Sequence, residues 1–403
     1  MPMISERAQR VPPSPIRKLV PYANAAKARG KKVLHLNIGQ PDLPTPPEFW
    51  KALHEAKIAV LDYTESGGMP AFREAYARFY EEIYGISLEP AHLLTTTGGS
   101  EALLFAFLTL FSPGEEVIVI EPTYANYIGI AWATGVRLRP IQSYIEEDFA
   151  LPDPSQLEMA ITEKTKGILL CNPSNPTGKL YSEKEVRQIA HICRQYDLFL
   201  LSDESYRDYC YDGQRFFSAL EVEGTEELVV VVDTLSKRYS VCGARIGALI
   251  SRNKAVIEAS LKWAQARLAP PTLGQIAGMA LLSLPKAYYD YVRETFQKRR
   301  DVLLQGLRTI PGVQVATVQG AFYLMPRLPI SDSDAFAQWL LERFDVEGVT
   351  VMVAPGTGFY SESKRGEQFV RLAYVLDIPY LEQSVEILRA ALNIYAREQV
   401  PIL

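Results

Sequence analysis

The chain has 403 residues, 48% of them hydrophobic and 22% charged, and 42 Lys+Arg against 47 Asp+Glu give a formal charge of −5. This is an ordinary soluble composition with room for about two to three domains of roughly 150 residues, and no Lys/Arg-rich run supplies the concentrated charge that nucleic acid or an anionic membrane needs. The four cysteines (Cys171, Cys193, Cys210, Cys242) form no CxxC pair and the four histidines (His35, His54, His92, His191) are scattered, so neither a disulfide framework nor a metal site is suggested and a reducing, cytoplasmic setting fits best.

The N-terminus, MPMISERAQRVPPSPIRK, has no continuous apolar core of signal-peptide length, and the longest apolar stretch, Ala102 to Phe111, is about half the ~20 residues of a membrane span. Pro-rich stretches at residues 11 to 21 and 41 to 47 read as an extended arm and a loop. From Val33 to about Ile250, β-branched runs recur between helical patterns, an alternation that implies parallel strands joined by crossover helices. Strands are expected over Glu116 to Glu121, Val136 to Ile141, Lys166 to Asn172, Leu198 to Asp203, Leu228 to Asp233 and Ile246 to Ser251. Several lack polar alternation, as strands buried on both faces do. Helices over Ser100 to Phe111 and Glu183 to Tyr196 lie between them, the second opened by Ser182 with Glu185 three residues on, a capping-box pattern. After Leu282 comes a charged helical stretch, Lys286 to Arg308, whose Arg299-Arg300 pair reads as a solvated face. Strands Ala321 to Met325, Val349 to Val353 and Phe369 to Val375 follow, then an amphipathic helix, Tyr380 to Glu398. Without regular alternation this half is a smaller α+β domain, which the N-terminal segment joins.

Ligands of open parallel sheets bind beyond the C-terminal ends of the strands. Three such ends carry unusual punctuation. In Asn172-Pro173-Ser174-Asn175-Pro176-Thr177-Gly178, two Asn-Pro steps force extended backbone and rigid turns that fix an amide side chain. Asp203-Glu204-Ser205-Tyr206 puts a carboxylate at the mouth of a buried strand, where it loses hydration unless a cation or donor compensates; a helix N-cap is the plain alternative. Thr234-Leu235-Ser236-Lys237 places a lysine able to form a Schiff base beside two hydroxyls. Eight residues on lies Arg245, and upstream Thr97-Gly98-Gly99-Ser100 opens an apolar helix whose free amides can hold an anion. Singly these are weak signals; jointly they are strong.

In this order and spacing the motifs NPSNPTG, DESY, SK and GARIG, with Asn37-Ile38-Gly39-Gln40-Pro41-Asp42, resemble the class I/II aminotransferases among the fold-type I enzymes that use pyridoxal 5′-phosphate (PLP). The resemblance spans almost the whole chain. It implies an α/β fold: a large domain with a mostly parallel mixed sheet flanked by helices, plus a smaller α+β domain. The division would be residues 1–47 (N-terminal arm and part of the small domain), 48–285 (large PLP-binding domain) and 286–403 (small domain). Lys237 would hold PLP as a Schiff base, Asp203 would partner the pyridine nitrogen, Asn175 and Tyr206 the ring hydroxyl, and Tyr124 would stack on the ring. Phosphate contacts would come from Gly99, Ser100, Thr234, Ser236 and Arg245, and from Tyr63 of a second subunit of a homodimer. Arg371, in Phe369-Val370-Arg371-Leu372-Ala373, would bind the substrate α-carboxylate, helped by Gly39 and Asn175.

The resemblance further implies transfer of an amino group from an α-amino acid to an α-keto acid, such as 2-oxoglutarate. Aspartate is slightly favoured as donor over an aromatic amino acid or methionine, with Arg17 and Arg267 as candidate cations for a distal carboxylate. A C–S lyase, decarboxylase or cyclase would use the same Lys237 and Asp203, while a non-catalytic regulator lacks chain length for a DNA-binding domain. The 22 tyrosines are mainly core and interface residues, and Cys242 reads as a small buried residue.

Overall fold

In the computed structural model, which describes residues 2–11 and 14–398, the strands in chain order are β1 (Lys32–His35), β2 (Leu93–Thr96), β3 (Glu116–Glu121), β4 (Arg137–Gln142), β5 (Thr165–Cys171), β6 (Phe199–Asp203), β7 (Val229–Thr234), β8 (Gly247–Ile250), β9 (Tyr323–Leu324), β10 (Val349–Met352), β11 (Ala354–Pro355) and β12 (Val370–Ala373). β2 to β8 build one seven-stranded sheet in the order β2-β8-β7-β6-β5-β3-β4. β4, β3, β5, β6 and β7 pair in parallel. β8 departs from the expected parallel run: it lies antiparallel between β7 and β2, so the sheet is mixed.

Both faces of this sheet are covered, and alternate residues of each strand divide between two cores. Val119, Leu169, Leu201, Val230, Val232 and Leu249 pack with residues of the helices Gly99–Leu110, Ala125–Thr134 and Lys254–Arg267. Ile118, Ile168, Leu200, Val229, Val231 and Ile250 pack with Pro70–Phe79, Glu183–Gln195 and Thr272–Leu282 on the other side. Ser182 caps the helix Glu183–Gln195 in a reciprocal box with Glu185, as expected.

A third core gathers Leu303, Leu307, Phe336, Leu340 and Leu388 from the helices Lys286–Arg308, Ser333–Glu342 and Ile378–Glu398. Beside it β1 pairs in parallel with β10, which binds the N-terminal segment to this half, and β11, β12 and β9 form an antiparallel sheet. The stretch at 11–21 is not an extended arm. Pro12 and Pro13 lie outside the described residues; residues 15–19 turn into a helix, Val20–Ala28, that buries Leu19, Ala23 and Ala26 in the third core. Pro21 is compatible with it because first-turn amides have no intrahelical partner. Arg299 and Arg300 are likewise not on a solvated face, being 2% and 5% exposed, because both guanidiniums are paired with carboxylates and backbone carbonyls.

Phe322 joins the third core to the turn after β6. Its ring stands edge-on to Tyr206 and Tyr209 at 5.2 and 5.0 Å, and tilted to Phe296 at 5.6 Å. Phe322→Ala should therefore remove about 3–5 kcal/mol of stability, seen as a lower denaturation midpoint, and should loosen Tyr206 as well.

Candidate active site

The C-terminal ends of β2, β3, β5, β6 and β7 and the start of β8 face one edge of the sheet. β6 ends on Asp203, which is 3% exposed. One carboxylate oxygen accepts from the Tyr127 hydroxyl at 2.7 Å; the other accepts from the Ser205 hydroxyl at 2.6 Å and its backbone N–H at 3.2 Å. Burial pushes this carboxyl above the usual range, opposed by those donors, and no cation among the described residues relieves it. A buried carboxylate supplied with donors but no counter-charge suits a ligand that brings a cation.

The connection from β7 to β8 holds Lys237 on the short helix Leu235–Arg238. Its Nζ donates to the Gly39 carbonyl at 2.9 Å and lies 3.8 Å from the Cys242 sulfur. Burial, reinforced by the charges of Arg371 and Arg245, pushes the amine below the ordinary lysine range. Thr234 donates to the Ser236 hydroxyl at 2.9 Å, and its own hydroxyl caps the Ser236 N–H. Arg245 has φ 55°, a left-handed backbone unusual for a non-glycine residue. Its guanidinium donates to the carbonyls of Cys242 at 2.9 Å and Thr97 at 3.2 Å. It thus lies over the N-terminus of helix Gly99–Leu110, where a Cβ on Gly98 would come within 2.6 Å of it. The result is an anion cradle of helix amides, hydroxyls and a guanidinium.

Arg371, on β12, is 1% exposed. It donates to the Asn175 side-chain oxygen at 3.0 Å and to the Asn37 carbonyl at 2.6 Å, while its buried Nε has no partner in the chain. The rings of Tyr323 and Phe359 lie 4.5 and 5.1 Å from the guanidinium. Asn175 donates in turn to Tyr206 at 3.3 Å, and Tyr206 shares a 3.0 Å hydrogen bond with Tyr323. Gly39 has no room for a side chain, since a Cβ there would overlap the Tyr323 hydroxyl.

A cleft of about 2040 Å³ is lined by Gly39, Ser100, Tyr124, Tyr206, Lys237, Arg245 and Arg371. Asn175 reaches it through Tyr206 and Arg371, whereas neither Asp203 nor its donors Tyr127 and Ser205 line it. Gly99 and Thr234 lie next to one another, and Thr234 bonds Ser236. Tyr63 is not brought there: it is 80% exposed and stands among exposed Val60 and Leu61. Arg17 lines the cleft, whereas Arg267 is taken up by the carbonyls of Ser66 and Thr95 and by Glu101. Sequence reasoning missed Tyr127, Ser205 and Tyr323. Tyr127 had a signal, since it follows Tyr124 by three residues at the start of a helix and so shares its face.

Residues 31–388 match the model of the family "Aminotransferase class I and II". The chain is 30% identical over 402 residues to an aspartate aminotransferase of Pyrococcus horikoshii, covering 97% of each. In structure it is similar to an aspartate aminotransferase of Thermotoga maritima (TM-score 0.88, 28% identity, 97% of this chain and 100% of that one). It is equally similar to an alanine aminotransferase of Pyrococcus furiosus (TM-score 0.88, 30% identity, with the same coverage).

Removing the phenol hydroxyl in Tyr127→Phe should raise the Asp203 pKa further, since a donor that favours the charged carboxylate is lost. A ¹³C NMR titration of labelled aspartate would read it; an unmoved pKa would remove Tyr127 from the site.

Proposed function

The chain belongs to the class I and II aminotransferases, a PLP-dependent family, and we propose that it transfers the amino group of aspartate to 2-oxoglutarate at the cleft around Lys237. The observation that carries this reading is the juxtaposition of a depressed lysine amine, an uncompensated buried carboxylate and a buried arginine with a free Nε. The residues fit the cofactor: Asp203 lacks a counter-charge, and glycine at position 98 lets the Arg245 guanidinium close onto the first turn of the helix Gly99–Leu110, where a phosphate would find both.

When bound, PLP supplies a reactive carbonyl and an electron-withdrawing pyridinium that stabilises a carbanion at the substrate Cα. Asp203, anchored by Tyr127 and Ser205, would hold the proton on the pyridine nitrogen through direct charge interaction. Lys237, free as an amine at lower pH than an ordinary lysine, would serve as nucleophile and then as the base that takes the Cα proton. Asn175 and Tyr206 would donate to the ring hydroxyl oxygen, and Tyr124 would stack on the ring. Gly99, Ser100, Thr234, Ser236 and Arg245 would hold the phosphate. Arg371, already aligned by Asn175 and Asn37, would clamp the α-carboxylate with Gly39 beside it, so that the Cα–H bond faces Lys237.

Aspartate is favoured because relatives carry that activity in their names and because Arg17 lines the cleft together with Arg371. The exposed patch around Tyr63 supports a homodimer in which Tyr63 reaches the partner's phosphate site. The four free thiols suit a reducing compartment, the cytoplasm. The same reading divides the chain into residues 1–47, an N-terminal segment that is part of the small domain, 48–285, a large cofactor-binding domain, and 286–403, the rest of the small domain.

Adding L-aspartate alone to the holoenzyme should bleach its visible band, and 2-oxoglutarate should restore it. Release of ammonia and a keto acid without acceptor would instead indicate a lyase. Asp203→Asn should lower kcat roughly a hundredfold or more, since a preorganised charge is lost. Arg371→Lys keeps charge but loses the planar fork, and should raise KM for aspartate at least about tenfold.

A further inference from the structure

The segment Asn37 to Asp42 touches both halves of the proposed chemistry: the Asn37 carbonyl accepts from Arg371 at 2.6 Å and the Gly39 carbonyl accepts from Lys237 Nζ at 2.9 Å. It is an irregular loop, so something must hold it in place. At its start, the Leu36 carbonyl accepts from the Ala373 N–H of β12 at 2.7 Å. At its end, Asp42 accepts from Arg299 Nη1 at 2.5 Å. The same Nη1 donates to the Val375 carbonyl, just past β12, at 2.7 Å, and Nη2 pairs with Asp377. Arg299 therefore pins the far end of the loop to the chain that follows β12, the strand that carries Arg371. Without it, the next hydrogen bond along the loop is that of Thr45 to the Ser240 carbonyl.

The guanidinium is almost wholly buried on the long helix Lys286–Arg308 and lies 5.1 Å from the Phe296 ring. Its two carboxylate partners are partly exposed, which makes the pair separable from the fold by changing the acid instead of the base.

We propose that Arg299 is a positioning residue for substrate: the clamp Asp42–Arg299–Asp377 sets the distance between the loop bearing Asn37 and Gly39 and the strand bearing Arg371, and so the fit of the grip around an amino-acid carboxylate. The inference rests on the reading of Arg371 as the carboxylate-binding group. Neither the anion cradle at Gly99 and Arg245 nor Asp203 is touched by the clamp, and Lys237 meets the loop only at the Gly39 carbonyl, so losing the clamp leaves the contacts to the cofactor's phosphate and ring nitrogen in place.

The test compares Arg299→Met, Arg299→Lys, Asp42→Ala and Arg371→Lys with the unaltered holoenzyme. Arg299→Met and Asp42→Ala should each raise KM for L-aspartate about 5–20-fold with kcat within about threefold, the signature of lost ground-state and transition-state binding in equal measure. Arg299→Lys should recover part of the loss. Hydrogen–deuterium exchange should quicken in peptides over 36–44 and stay unchanged over 97–104, and PLP retention on dialysis should match the unaltered protein. The two clamp changes combined should not add, since they remove one interaction. If exchange over 36–44 quickens while KM stays put, the clamp is structural only and the proposal falls. Should Arg299→Met not fold, Asp42→Ala decides alone, because its partly exposed side chain leaves the buried arginine in place. A normal KM in Arg371→Lys would sink the carboxylate reading itself; an impaired Arg371→Lys beside normal clamp variants would sink only this inference.

Discussion

The arrangement depends on one constraint, the antiparallel return of β8 along β7. A parallel strand needs a crossover that carries the chain to the far end of the sheet, whereas an antiparallel partner is reached by a short connection that stays where it began. The pairing of Thr234 with Gly247 closes such a connection. Lys237 and Arg245 are both inside it, so both are held at the edge where β5 and β6 end. β2, antiparallel to β8, therefore runs with the parallel strands and delivers the Gly98–Gly99 turn to the same edge. Close packing follows: a Cβ on Gly247 would lie 2.9 Å from the Gly99 nitrogen.

Strand pleating then separates two kinds of charge. Asp203 turns toward Tyr127 on one side of the sheet, while Glu204 is satisfied by Ser202, Ser218 and the Ala219 amide and faces Arg207. Asp233, just before the lysine turn, accepts from Tyr76 and Tyr80 at 2.9 Å each and from Arg238 at 3.1 Å. Burial holds both phenols protonated as donors. Arg238 also binds Asp208, which accepts from Tyr84. The network therefore braces the chain immediately after Lys237 and immediately after Tyr206, and a braced turn presents its functional side chain with little freedom left to lose.

Much of this was legible because the relevant signals are local. Apolar runs ending in Asp203 or in Thr234 mark strands by themselves, and Ser182 with Glu185 marks a helix start. What was not legible depends on partners distant in sequence. Four residues, Leu93–Thr96, make β2 only because β8 lies beside them. Tyr323 matters through Tyr206, 117 positions away. Arg299 was misread because a charged helix position looks the same whether its partner is water or Asp42, 257 residues upstream. The helices Lys254–Arg267 and Thr272–Leu282 escaped notice for a different reason. The first buries Val256, Ser260 and Ala264, whose small or polar side chains give little apolar contrast, and the second packs on both Pro47–Glu55 and Pro70–Phe79 and so is apolar on more than one side.

The division of alternate residues between two cores bears on which kinds of genetic change this chain can absorb. A substitution in β6 alters one side chain and leaves its neighbours aimed as before. A single-codon insertion or deletion within β6 turns every later side chain of the strand through half a turn. An insertion would carry Asp203 to the place of Glu204, facing Arg207, and a deletion would carry Glu204 to the place of Asp203, facing Tyr127. A change of length inside β6 would therefore move the acid away from its donors, whereas a substitution leaves the strand's register, and so the aim of every other side chain, intact.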